Sequence, residues 1–121
     1  QEASESLLLN FYTLFPPQRS EVFSNLKVVV SKTEPVDTEN NYLWKKNNTS
    51  FYIVLNKYKT VNKHGKMIEQ ISDKTLIKMI QKFITDFNPT YLFENDKGPL
   101  KPSNISSILC KLTKLQQQHF F

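Results

Sequence analysis

The chain has 121 residues, 39% hydrophobic and 22% charged, which suits one globular domain with a real core rather than a disordered chain. Net charge is +5, and no apolar run approaches the roughly 18 residues that span a membrane. The single cysteine, Cys110, excludes an intrachain disulfide and leads us to expect a reducing, intracellular compartment, with nucleus, viral factory and virion undistinguished. Gln1 opens the chain without a signal-peptide pattern, which points to a fragment or a processed product.

In chain order, residues 3–15 read as a helix, with Leu7, Leu8, Phe11, Leu14 and Phe15 on a buried stripe that Leu9 and Tyr12 widen. Pro16 and Pro17 stop it. Pro17 can open a short second helix over 18–25, packed on the first through Val22, Phe23 and Leu26. Residues 27–30 and 42–44 read as short strands separated by a polar, acidic loop over 31–41. Residues 45–49 form a turn. Its two glycosylation-like Asn patterns are read as chance without a secretory signal.

Residues 51–71, FYIVLNKYKTVNKHGKMIEQI, read as a long β-hairpin with a basic tip. Lys57, Lys59, Lys63, His64 and Lys66 cluster there, with Gly65 at the turn. Met67, Glu69 and Ile71 fall on one face of the second arm, Ile68 and Gln70 on the other. Ser72 is the expected cap of a helix over 73–87, whose apolar stripe is Leu76, Met79, Ile80, Phe83, Ile84 and Phe87. Lys74, Lys78 and Lys82 form its opposite, basic face, and Asn88-Pro89 ends it. Residues 91–93 read as a short strand and 94–102 as a turn region. Ser103 is the expected cap of a last helix over 104–115, with Ile105, Ile108, Leu109 and Leu112 at core spacing and Cys110 as a small core residue. Residues 116–121 carry little pattern and are expected to fray.

The charge is unevenly spread. Residues 45–82 hold nine lysines against two acids, whereas residues 1–44 are net acidic. That asymmetry favours an anionic partner, most often nucleic acid. A solvated hairpin tip, or a lysine-rich coding bias, accounts for the same lysines. Metal binding is not expected, because His64 and His119 lie far apart and no ligand spacing occurs. With two glycines there is no phosphate-cradling loop. Arg19 and Lys59 suit phosphodiester recognition, arginine through its planar fork and lysine as a phosphate ligand or proton donor.

The order of elements, together with PPQRSE, the hairpin KYKT and YLFENDKGPLKPSNISSIL, resembles the catalytic domain of the tyrosine recombinases, or phage integrases. The likeness is to their divergent branch in large DNA viruses and eukaryotic mobile elements, and it covers nearly the whole chain. That family cuts DNA with a tyrosine nucleophile, through a covalent 3′-phosphotyrosyl link, using no metal or cofactor. The resemblance makes Arg19 the first catalytic arginine, Glu21 its supporting acid and Lys59 the general acid toward the leaving hydroxyl. Two features depart from it. The usual offset between arginine and acid points to Gln18 instead of Arg19. After the last helix the sequence reads QQQHFF, with no His-x-x-Arg and no tyrosine beyond Tyr91.

The expectation is therefore a single α+β domain over 1–121, a C-terminally incomplete recombinase-like catalytic domain. Its helices would pack around a small antiparallel sheet in which the hairpin pairs with 27–30. Its ancestral role would be DNA integration or recombination. Its present role would be binding of duplex DNA, through Lys57, Lys63, His64 and Lys66 as well as Arg19 and Lys59, without cleavage. The alternative is a non-catalytic structural or interaction protein of a viral particle or large assembly, with a protein partner or an oligomer in place of DNA.

Overall fold

The computed structural model describes residues 2–14, 23–37, 39–56 and 65–120, with residues 2 and 115–120 described by backbone alone. Among these, the elements are helix α1 (Glu2–Leu14), strands β1 (Leu26–Val30), β2 (Asn41–Lys45), β3 (Phe51–Leu55) and β4 (Met67–Gln70), helix α2 (Lys74–Phe87), strands β5 (Glu94–Asn95) and β6 (Gly98–Pro99), and helix α3 (Pro102–Phe120). The fold is α+β. Of the expected short helix over 18–25, only Phe23 and Ser24, both helical, and the turn residue Asn25 are described.

The main sheet has the order β1-β2-β3-β4 and is mixed, not antiparallel as expected. β1 and β2 run parallel, with Leu26 opposite Asn41 and Val30 opposite Lys45. β2–β3 and β3–β4 are antiparallel. The hairpin therefore joins the sheet through β2, not through the strand at 27–30. The cause lies in the segment between β1 and β2. It is a crossover that returns the chain to the end where β1 began, which is what a parallel pair requires.

Polar bonds hold this crossover on the sheet. Trp44 Nε1 donates to the Ser31 carbonyl at 2.8 Å and the Tyr42 hydroxyl to Asp37 Oδ2 at 2.7 Å. Asn56 Nδ2 donates to the carbonyls of Asn40 at 2.8 Å and Asp37 at 3.2 Å. Strand alternation then gives the sheet two apolar faces. Leu43, Phe51, Ile53 and Leu55 join the main core, whereas Tyr42, Trp44 and Val54 form a second small cluster on the other face. There Trp44 and Tyr52 stack with centroids 4.7 Å apart.

The three helices share the main core, through Leu7, Leu8 and Phe11 of α1, Leu76, Ile80 and Ile84 of α2, and Ile105 and Leu109 of α3. Phe11, Phe23 and Phe93 meet in a three-way edge-to-face cluster with centroids 5.9–6.2 Å apart. That geometry suits the ring quadrupoles. The stripes are narrower than expected. Tyr12, Leu14 and Phe87 are exposed, because α1 and α2 are each covered on one side over the described residues.

Both helix starts also differ from expectation. Asp73, not Ser72, caps α2, and its Oδ1 accepts from the Leu76 N–H at 2.8 Å. Pro102, not a residue after Ser103, opens α3, where a missing N–H loses nothing, and Asn104 Oδ1 reaches back to the Lys101 N–H at 3.3 Å. Cys110 is exposed rather than in the core, since it lies one residue, or about 100° of helix, past the buried Leu109.

The expected strand at 91–93 reduces to one antiparallel bridge, Tyr91 to Lys27, flanked by bonds from Val28 N–H to Thr90 O and from Leu92 N–H to Leu26 O. The Tyr91 N–H is taken by Glu94 Oε1 at 2.9 Å, which turns the chain and sends Leu92 and Phe93 into the core.

Candidate nucleic-acid interface

Of the residues expected at a DNA site, Arg19, Glu21, Lys57, Lys59, Lys63 and His64 lie outside the described residues. Their expected grouping around a phosphate lies outside them too. Gly65 and Lys66 are described. Gly65 has φ +69°, a left-handed conformation that glycine adopts without strain and that fits a turn. Lys66 does not stand free at the hairpin base. Its Nζ donates to Glu34 Oε2 at 3.0 Å and to the Pro35 carbonyl at 3.2 Å. The ammonium thus ties the hairpin to the acidic crossover and is partly neutralised there.

A second basic feature lies at the other end of β4. Lys66 precedes that strand and Gln70 ends it, a separation of about 13 Å along an extended chain. Beyond Gln70 the chain turns into α2, and a groove of about 660 Å³ opens there. Lys74, Lys78 and Lys82 line it from α2. Residues four apart share one helix face, so these ammonium groups form a row with a rise of about 6 Å between neighbours. Asn48 and Thr49 of the β2–β3 turn line the groove as well, as do Gln70 at the end of β4, Ile71 and Ile77. Ile71 is almost wholly buried, and its N–H donates to the Phe51 carbonyl at 2.9 Å, which fixes the chain where it leaves the sheet.

Among the described residues no acidic side chain lines this groove. Lys82 pairs with Asp86 at 3.1 Å in an exposed i,i+4 contact. Such a contact contributes little. Lys74 and Lys78 have no ion-pair partner among the described residues. Gln81 also lines the groove. Its Nε2 donates to Thr85 Oγ1 at 3.4 Å, while its Oε1, shielded from solvent, has no partner among the described residues.

Among the described residues, Lys66 and the lysines of α2 therefore lie at opposite ends of β4 and not in one patch. The sequence reading noted the basic face of α2 but did not place it in the site, because the hairpin tip held the denser run of charge. The period-four spacing of Lys74, Lys78 and Lys82 was the signal that could have promoted it. The contribution of Asn48, Thr49 and Gln70 had none, since only the packed fold brings the β2–β3 turn beside α2.

Among the described residues no helix is long and apolar enough to cross a membrane, and no group of three His, Cys, Asp or Glu side chains could hold a metal ion. No protein-family model, curated protein or solved structure matches the chain.

Proposed function

We propose that this chain binds duplex DNA through its basic central segment without cutting it, as a degenerate or partial form of the recombinase-like catalytic domain that its sequence resembles. The observation that carries the proposal is the charge of residues 45–82, nine lysines against two acids. The exposed lysine row of α2 supports it, since Lys74 and Lys78 are unpaired among the described residues and can each meet a phosphate. The chain holds no His-x-x-Arg and no tyrosine after Tyr91. Loss of members of a catalytic unit removes most of its rate. For these 121 residues the proposal is therefore for binding.

The test is fluorescence anisotropy on a labelled duplex over a salt series. Dissociation constants of about 10⁻⁴–10⁻⁶ M and a steep loss of affinity with salt are expected, because neutralised phosphates release counterions. Replacing Lys57, Lys59 and Lys63 with alanine should flatten the slope. Salt-independent binding, or none at low salt, would reject the proposal. A covalent protein–DNA band on a suicide substrate would reject the non-cutting part of it, and Tyr58, beside Lys59, would be the first nucleophile to replace.

A second reading is a structural or interaction protein of a large assembly. The bond from Lys66 to Glu34 favours it, because it diverts one lysine of the basic segment to holding the fold together.

A further inference from the structure

The groove beside α2 is built for more than phosphate. We infer that it holds a single-stranded stretch of nucleic acid, an inference that rests on the nucleic-acid reading above and names the form of strand that this site takes. Three observations carry it.

The first is the pairing of charge with apolar surface. Lys74, Lys78 and Lys82 line the groove with no acid among them, so its occupant is anionic. The half-buried Ile77 and the methylene stems of those lysines make the rest of that side apolar. A duplex offers little to such a surface, because its base faces are stacked inside and its phosphates are all a basic helix needs. An unpaired strand offers both parts: phosphates for the ammonium row, and base faces to lay on Ile77 and the lysine stems.

The second is the amide content. Asn48, Gln70 and Gln81 each bring donors and an acceptor to one groove. Splayed bases present complementary edges that such amides can pair. The acyl chain of an anionic lipid would leave these amides without partners.

The third is Gln81 itself. Its Oε1 is shielded from water and unpartnered among the described residues, while its Nε2 is held by Thr85. Buried polar atoms nearly always find a partner. Rotation of the Gln81 amide toward the groove would bring this oxygen within reach of the exocyclic amine of a bound base. At about 660 Å³ the groove lies within the roughly 300–1,000 Å³ of sites that enclose small ligands, which is room for a short stretch of strand.

The test compares one short, mixed-sequence oligonucleotide as a single strand and as a duplex, by anisotropy at matched salt. Circular dichroism confirms that each variant is folded. Tighter binding of the single strand is expected. The triple variant Lys74→Ala, Lys78→Ala, Lys82→Ala should lower its log–log salt slope by roughly 2, at about 0.7 per phosphate. Gln81→Leu keeps the lysine row, and should weaken single-strand binding without changing the slope. Duplex binding with no single-strand preference, or single-strand binding that ignores the triple variant, overturns this inference and leaves the duplex proposal standing. Binding of neither form at low salt overturns both. Displacement of the labelled strand by polyglutamate as effectively as by unlabelled strand assigns the groove to an acidic protein segment instead, and also overturns it.

Discussion

The backbone N–H of Asn56 donates to Asn41 Oδ1 at 2.8 Å, so the residue after β3 is bonded to the first residue of β2. Asn56 then uses its Nδ2 on the carbonyls of Asn40 and Asp37. The pair closes the end of the β2–β3 ladder and holds down the crossover that makes β1 and β2 parallel. Asn41→Ala leaves the Asn56 N–H buried without its acceptor, which costs about 1–3 kcal/mol. Urea unfolding should show a correspondingly lower midpoint with an unchanged slope. An unaltered midpoint would mean that the clamp contributes nothing.

Tyr42 makes stability depend on pH in the alkaline range. Burial, and after it the hydrogen bond and charge of Asp37, raise the pKa of its hydroxyl above the ordinary value. In the unfolded chain the same group ionises near pH 10. Its contribution is fully present below that value and is lost as pH rises through the higher folded value, because the unfolded state gives up its proton first. Thermal unfolding should therefore show a fall in stability above about pH 10. In Tyr42→Phe that part of the fall should be absent. A variant with the same alkaline profile as the wild type would show that Tyr42 is not the group responsible.

The cap of α2 separates two neighbours that are equally good caps by type. Asp73→Ala should cost about 1 kcal/mol, since it strips the partner of the Leu76 N–H. Ser72→Ala should stay within roughly 0.5 kcal/mol, as expected for an exposed position with no hydrogen bond among the described residues. Equal effects in chemical denaturation would contradict the capping geometry.

Phe93 locks the turn after the Tyr91 bridge into the core by packing edge-on against Phe11 and Phe23. Phe93→Ala should destabilise the fold by about 3–5 kcal/mol. Phe87→Ala, at the exposed end of α2, should cost far less. Calorimetry of the two variants decides whether the aromatic cluster or the helix end anchors that corner.

Lys66 and Lys78 should behave differently toward DNA although both are lysines of the basic segment. Lys66 already has a carboxylate at 3.0 Å, so an incoming phosphate must compete with Glu34. Lys78→Ala should reduce the duplex salt slope by close to 0.9, the value for one neutralised phosphate. Lys66→Ala should reduce it by less. Equal slope changes would show that the Glu34 contact opens freely when DNA binds.

By itself the sequence determined the faces of the elements. The spacing of Leu76, Ile80 and Ile84, and of Ile105 and Leu109, assigned these side chains to one core before any packing was known. Apolar periodicity is a local property, set by 3.6 residues per turn in a helix and two in a strand. The concentration of lysine between 45 and 82 was equally plain. Only the tertiary structure decided which strand pairs with which, because a period of two states which face a residue takes and nothing about its neighbour. It set β2 between β1 and the hairpin, and it bonded Lys66 to Glu34 across the intervening chain. It also divided the basic segment, giving one lysine to the crossover and three to a groove completed by Asn48 and Gln70. A charge count could not foresee that division, since it records how many ammonium groups a segment carries and not which carboxylate or cavity each one meets when the chain folds.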